Sequence, residues 1–103
     1  MYIICYITTK DKDEAKKICK ALLQEKLIAC ANIFPIESLY EWENALCEET
    51  EYAIIAKTLQ ENFTKIENTV KHLHSYEIPC IVAYPLCNGN QDFLSWITTT
   101  VKN

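Results

Sequence analysis

The order of apolar patterns along the chain is the feature that most restricts its fold. A continuous apolar run over residues 2–9 predicts a strand buried on both faces, and a helical period follows it to about Lys26. A second strand begins near Leu27, a third ends near Ala56, and a second helix, a fourth strand over residues 78–86 and a last helix follow. This order predicts an α+β fold, a ferredoxin-like βαββαβ plait with a long central hairpin and an extra C-terminal helix, as one domain over residues 1–103.

Local signals place the helix starts. Asp11 with Glu14 three residues later predicts the first helix, and Thr58 with Glu61 predicts a second capping box. Asn90 is expected to cap the last helix with its side chain.

The central hairpin is longer than the layer that covers it. Asn44 is the predicted turn residue, because asparagine tolerates a positive φ. Arms of about 15 residues extend about 50 Å, whereas a first helix of about 16 residues covers only about 24 Å. The outer half, with Tyr40 and Trp42, therefore has no helix above it, and we infer a symmetric homo-oligomer that shelters it.

Composition excludes several function classes. The chain has one glycine, Gly89, which is too few for a P-loop or a dinucleotide fingerprint. All ten basic residues are lysines and the net charge is −4, which disfavours nucleic acid and anionic membranes as partners. The N-terminus has no basic leader, so a cytoplasmic location is expected, with the six cysteines reduced and mostly structural.

The candidate metal ligands are His72, His74, Glu77 and the thiols, with Glu49 and Glu51 on the acidic strand. His72 and His74 flank Leu73 at the end of the second predicted helix, and they can share an ion only if the helix has already ended. The alternative is that His74 caps the helix C-terminus. Copper(II) heads the affinity order for most nitrogen and sulfur ligand sets.

Aromatic and charged side chains of the hairpin also allow two interpretations. Tyr40 and Trp42 could form the floor of a ligand cleft or anchor an interface. Lys57 could meet an anion near the second helix. The acidic side chains of the third strand are predicted to form a solvated edge that prevents mispairing: Glu48, Glu49 and Glu51.

Five segments together resemble the CutA family of divalent-cation tolerance proteins. They are Leu27-Ile28-Ala29-Cys30-Ala31-Asn32-Ile33, Ser38-Leu39-Tyr40-Glu41-Trp42-Glu43, Lys57-Thr58, His74-Ser75-Tyr76-Glu77-Ile78-Pro79 and Leu94-Ser95-Trp96-Ile97. The resemblance covers nearly the whole chain and implies a ferredoxin-like trimer related in architecture to PII-type signal proteins. It also implies a role in tolerance of copper and other divalent cations. Of the three copper-ligand positions of some bacterial members, this chain keeps only His74.

The resulting prediction is a homotrimeric protein that binds copper or another divalent cation and has no catalytic residues. His74 and Cys30 are its predicted metal ligands. Tyr40, Trp42, Lys57 and Tyr76 are predicted at a ligand cleft or subunit interface. The alternatives are a PII-like small-ligand module and a non-catalytic interaction scaffold.

Overall fold

A computed structural model describes residues 1–101 of the chain. Its elements, in chain order, are β1 (Tyr2–Thr9), α1 (Lys12–Gln24), β2 (Cys30–Trp42), β3 (Ala45–Leu59), a 3₁₀ turn (Gln60–Asn62), α2 (Phe63–Leu73), β4 (Ile81–Pro85) and α3 (Gln91–Thr100). The α+β class, the βαββαβ order, the long hairpin and the extra helix are all confirmed.

The four strands form one antiparallel sheet in the order β2-β3-β1-β4. β3 pairs with β2 along the whole hairpin, from Cys30 opposite Lys57 to Trp42 opposite Ala45. β1 pairs only with the inner half of β3, from Tyr2 opposite Leu59 to Thr9 opposite Tyr52. The outer half of the hairpin is therefore a two-stranded ribbon, and the molecule is elongated, measuring 45 × 26 × 20 Å.

One face of the sheet, the helix face, carries the main core. Every second residue of β1 points there and is buried, and the matching β3 residues meet the apolar stripes of α1 and α2. The largest fully buried side chains of this core are Ile7, Ile18, Leu22, Ile28, Ile54, Ile66 and Val70. The amphipathic period of the two helices produces this layer, because it gives each helix one apolar stripe.

The opposite face, the open face, is only partly covered. On β1, the alternate residues from Tyr2 to Thr8 are half-buried, so the prediction that residues 2–9 are buried on both faces is wrong for the isolated chain. The sequence run is apolar throughout. Of the described helices, however, only α3 packs on this side, where its Ile97 contacts Leu59 and Tyr2. On β4, Val82 and Tyr84 are 40% and 56% exposed.

The start of α1 follows the sequence signal closely. The Asp11 carboxylate accepts the amide of Glu14 at 2.8 Å, as expected of an N-cap. The Glu14 carboxylate accepts the amide of Lys10 at 3.0 Å in return.

The capping box at Thr58 is wrong, and Asn90 has the predicted N-cap position of α3 without the expected side-chain bond. Thr58 lies within β3, and its hydroxyl donates to the Leu27 carbonyl, as does the amide of Asn62. Because this hydroxyl is used to hold the loop before β2, α2 begins only after the 3₁₀ turn, at Phe63. Asn90 is the residue before α3, but its side chain makes no capping hydrogen bond.

The ends of the strands also differ from prediction. β4 covers residues 81–85 rather than 78–86, and residues 74–76 before it are held by the side-chain contacts described below. Pro35 lies in β2, at an edge of the sheet, where its missing donor is tolerated. At the hairpin tip, Glu43 and Asn44 have φ of 51° and 65°, which confirms the turn. In residues 1–101, no helix is long and apolar enough to cross a membrane.

Candidate functional site

A cavity of about 670 Å³ lies on the open face, between the outer hairpin and the segment that follows α2. The register explains its floor: alternate residues of β2 and β3 face the same side, which brings Tyr40 opposite Cys47 and places Glu49 and Glu51 further along the same face. The complete lining consists of Thr8, Tyr40, Trp42, Cys47, Glu48, Glu49, Glu51, Tyr76, Glu77, Ile78 and Cys80.

Aromatic side chains of the hairpin form one wall. The Tyr40 hydroxyl donates to the Glu49 carboxylate, and this hydrogen bond raises the pKa of Tyr40 to about 12. Trp42 lies two residues closer to the hairpin tip on the same face and is 42% exposed. Both rings extend beyond the part of the sheet that β1 supports, as the length argument predicted.

The opposite wall is closed by a tyrosine–glutamate pair. The Tyr76 hydroxyl donates to Oε2 of Glu51, and Glu51 is only 6% exposed. Burial, followed by the hydrogen bond to Glu51, raises the pKa of the Tyr76 hydroxyl well above its usual value. The expectation that Glu51 belongs to a solvated edge is wrong, because Tyr76 reaches it from a segment 25 residues away in sequence.

His74 fixes the segment that carries Tyr76. It is the residue after α2, and its amide donates to the Val70 carbonyl, so its backbone closes the helix. Its Nδ1 accepts the Tyr76 amide at 3.0 Å, which assigns the ring proton to Nε2, and Nε2 donates to the Thr8 carbonyl at 2.7 Å. Both ring nitrogens therefore have backbone partners, and the ring also packs on Tyr76 with 4.8 Å between centroids.

Glu14 connects this segment to α1. Its second carboxylate oxygen accepts the amide of Ser75 at 2.9 Å. Burial acts to raise the pKa of the Glu14 carboxyl, but the hydrogen bonds from Lys10 and Ser75 outweigh it, and the pKa is lowered. Glu14 is thus both a helix-start residue and the anchor of the segment that bounds the cavity.

The remaining predicted site residues lie elsewhere. Cys30 and Lys57 are paired across β2 and β3 at the inner end of the hairpin, and the Lys57 ammonium donates to the Asn32 amide oxygen. The structure thus brings together Tyr40, Trp42 and Tyr76 but does not bring Lys57 or Cys30 to the same cavity.

Two thiols of the cavity wall were candidates from sequence only as members of the whole set of cysteines. Cys47 lies opposite Tyr40, and Cys80 lies where its carbonyl accepts the Thr8 amide. Burial raises the pKa of the Cys80 thiol. Within residues 1–101, the side chains of one chain form no preassembled group of three or more metal ligands.

Comparison with known proteins identifies the same family along nearly the whole chain. Residues 3–100 match the family described as "CutA1 divalent ion tolerance protein". The divalent-cation tolerance protein CutA of Archaeoglobus fulgidus is 46% identical over 99% of this chain and 100% of its own length. The chloroplastic protein CutA of Arabidopsis thaliana is 35% identical over 98% of this chain, which spans 56% of that relative's length.

A solved structure agrees with the sequence comparison. The periplasmic divalent cation tolerance protein CutA from Archaeoglobus fulgidus superposes with a TM-score of 0.97 at 46% identity, covering 99% of this chain and 100% of that one.

Proposed function

The chain belongs to the CutA1 family of divalent ion tolerance proteins, and from that premise we propose that it is a non-catalytic homotrimer that binds divalent metal ions, copper among them. The donor chemistry of the open-face cavity is the observation that carries this proposal. Carboxylates and thiols line this cavity without forming a preassembled ligand group in one chain, and the carboxylates belong to Glu48, Glu49, Glu51 and Glu77. Thiolates suit copper and zinc, and carboxylates add charge neutralisation.

His74 and Cys30 remain the metal ligands predicted from sequence. A metal at His74 must displace the Thr8 carbonyl or the Tyr76 amide from its ring, whereas Cys30 on the half-covered open face has no such competitor. The two sets of donors make different predictions for substitution, so one titration separates them.

The experiment is calorimetric titration of the reduced trimer with Zn²⁺, which does not oxidise thiols, followed by anaerobic titration with Cu⁺. We expect Cys80→Ser and Cys47→Ser to weaken binding at least about tenfold if the cavity holds the ion. Cys87→Ser is the matched control, since Cys87 is exposed and lies outside the cavity. Loss of binding in His74→Gln or Cys30→Ser alone supports the sequence-derived site, and unchanged binding in all four variants contradicts metal binding at either place.

Assembly into a trimer is supported by exposed apolar side chains on both faces of the sheet. Tyr84 and Val82 are exposed on one edge strand, and the outer hairpin exposes Leu39 and Leu46, at 65% and 66%, on the other side of the ribbon from the cavity. Apolar surface of this kind on a soluble chain marks a contact region. Sedimentation equilibrium should give three times the chain mass of 11.9 kDa, and a stable species of one chain mass at micromolar concentration contradicts the trimer.

A PII-like small-ligand module is the second candidate. The cavity supports it, because about 670 Å³ falls within the range of small-molecule sites and Tyr40, Trp42 and Tyr76 line it. Lys57 joins such a site only if another copy of the chain brings it there. Thermal-shift screening against amines, anions and nucleotides tests this function, since a ligand at about 100 times its Kd stabilises by about 2.7 kcal/mol.

We further propose a cytoplasmic location, which the six free thiols support, because a reducing compartment keeps cysteines unpaired. Cell fractionation with alkylation of free thiols before lysis tests this location. Recovery of the protein with oxidised cysteines from an exported fraction contradicts it.

A further inference from the structure

One buried carboxylate of the cavity has no cation beside it. Glu51 is 6% exposed, and the ion pairs within residues 1–101 join Met1 to Glu61 and Lys71 to Glu67, away from the cavity. Tyr76 bonds Oε2, while no protein donor in the described residues bonds Oε1. Every fully buried polar side-chain atom there has a partner, so Oε1 retains accessible surface and faces the cavity that Glu51 lines. Burying a carboxylate without a cation is unfavourable, which makes Glu51 a strong acceptor for one.

A second carboxylate lies at a fixed spacing from the first. Glu49 is two residues before Glu51 on the same strand face, which separates their backbones by about 7 Å. Its partner is the Tyr40 hydroxyl, a neutral group. Glu48 and Glu77 add negative charge to the lining, and no lysine of residues 1–101 lines the cavity. The lining therefore repels anions and attracts a ligand with more than one positive charge.

The apolar part of the lining determines which kind of cation fits. Trp42, Tyr40 and Tyr76 line the cavity, and aromatic rings attract ammonium groups. Ile78 and the ring edges offer apolar surface for a short hydrocarbon chain. A hydrated metal ion gains nothing from these surfaces, whereas an alkyl ammonium uses both the charge and the apolar walls.

We propose that this cavity binds an aliphatic diamine or polyamine, with one ammonium group at Glu51 and a second at Glu49. The methylene chain between them lies against Trp42 and Tyr40. This inference goes beyond metal binding, and it does not depend on the thiols.

The test uses putrescine, a four-carbon diamine, with the full-length protein in its natural oligomeric state. The chain has two tryptophans, so Trp96→Phe leaves Trp42 as the single reporter of the cavity. We expect putrescine to change Trp42 fluorescence saturably, and Glu51→Gln in that background to weaken binding at least about tenfold, as expected for loss of a charged hydrogen bond. Glu41→Gln is the matched control, because it removes the same charge from the same hairpin outside the cavity, and we expect less than about twofold change.

A second pair of variants covers the case in which Glu51→Gln fails to fold. Trp42→Leu and Trp96→Leu change side chains of nearly equal exposure, 42% and 43%, and only the first lines the cavity. By calorimetry, we expect Trp42→Leu to weaken putrescine binding and Trp96→Leu to leave it unchanged. Equal affinity in all these variants, or no saturable binding by the parent protein, overturns the proposal. Because Cys80→Ser should leave putrescine affinity intact while weakening Zn²⁺, the amine and metal proposals can fail separately.

Discussion

Both faces of the sheet are apolar along β1, but they differ in how completely they are buried. On β1, Cys5 and Ile7 point to the helix face and are fully buried, whereas their neighbours Ile4 and Tyr6 point to the open face and are half-buried. The helix face therefore determines how the chain folds, since it completes its core within one chain. The side chains of the open face stay partly accessible, and the cavity lies on this face. Apolarity alone does not distinguish a core from a binding surface; the coverage of the strand by helices does.

The largest expected difference between the faces is in thiol reactivity. Burial raises the pKa of both Cys5 and Cys19 on the helix side to about 11, so their reactive thiolate is scarce and shielded. We expect exposed Cys87 to react with iodoacetamide at least about a thousandfold faster than these two, whose reaction requires opening of the core. Mass spectrometry of timed digests measures the rates. Comparable labelling of Cys5 and Cys87 would show that the helix face opens locally.

Matched truncations on β3 compare how much each face contributes to the free energy of unfolding. Ile54 is fully buried on the helix face and Ile55 is half-buried on the open face. Ile54→Ala should lower the free energy of unfolding by about 3–4 kcal/mol, and Ile55→Ala by about half of that or less in a monomer. Urea denaturation at several protein concentrations measures both. A cost for Ile55→Ala that grows with protein concentration would show that another copy covers the open face.

Glu14 provides a pH-dependent comparison between the helix side and the segment at the cavity. Its pKa is lower in the folded chain than its ordinary value of 4.5, so its contribution is present above that value and is lost as the pH falls through the folded-state pKa. We expect Glu14→Gln to destabilise the protein by about 1–2 kcal/mol at pH 7, and this penalty to shrink as the pH falls below 4.5 and through the lowered pKa. Denaturation as a function of pH is the measurement. A penalty independent of pH would mean that shape, and not charge, holds the Ser75 amide.

The smallest effect is expected at the hairpin tip, far from both packed regions. Glu43 adopts a φ of 51° without being glycine or asparagine. Glu43→Asn should stabilise the protein by about 0.5 kcal/mol, because asparagine adopts this conformation more readily. Thermal unfolding measures it, with Glu41→Asn on the adjoining strand as control. A loss of stability in Glu43→Asn would assign the glutamate a contact of its own.

The sequence predicted the fold well because its signals are local. The apolar period of α1, the Asp11 cap and the positive-φ turn at Asn44 each depend on neighbouring residues, and all three are confirmed. The prediction failed where a side chain forms its hydrogen bond with a residue that is distant in sequence. Thr58 bonds the Leu27 carbonyl instead of capping α2.

The candidate site was predicted only in part, for the same reason. Tyr40, Trp42 and Tyr76 were named from sequence and lie together. Glu51 was assigned to solvent because its neighbours are acidic, and no local pattern reveals a tyrosine that arrives from beyond α2. Alternation does place Glu49 and Glu51 on the face of Tyr40, and this signal could have identified the acidic wall.

The position of β1 has a consequence for synthesis of the protein. β1 lies between two strands that follow it in the chain, and its second neighbour, β4, is complete only at Pro85. The hairpin can form earlier from its own residues, since its pairing is local along the chain. β3 can cover one edge of β1 once Leu59 is made, but the other edge stays unpaired until β4 is complete, so a pause before residue 85 prolongs the interval in which holdase chaperones can capture that edge.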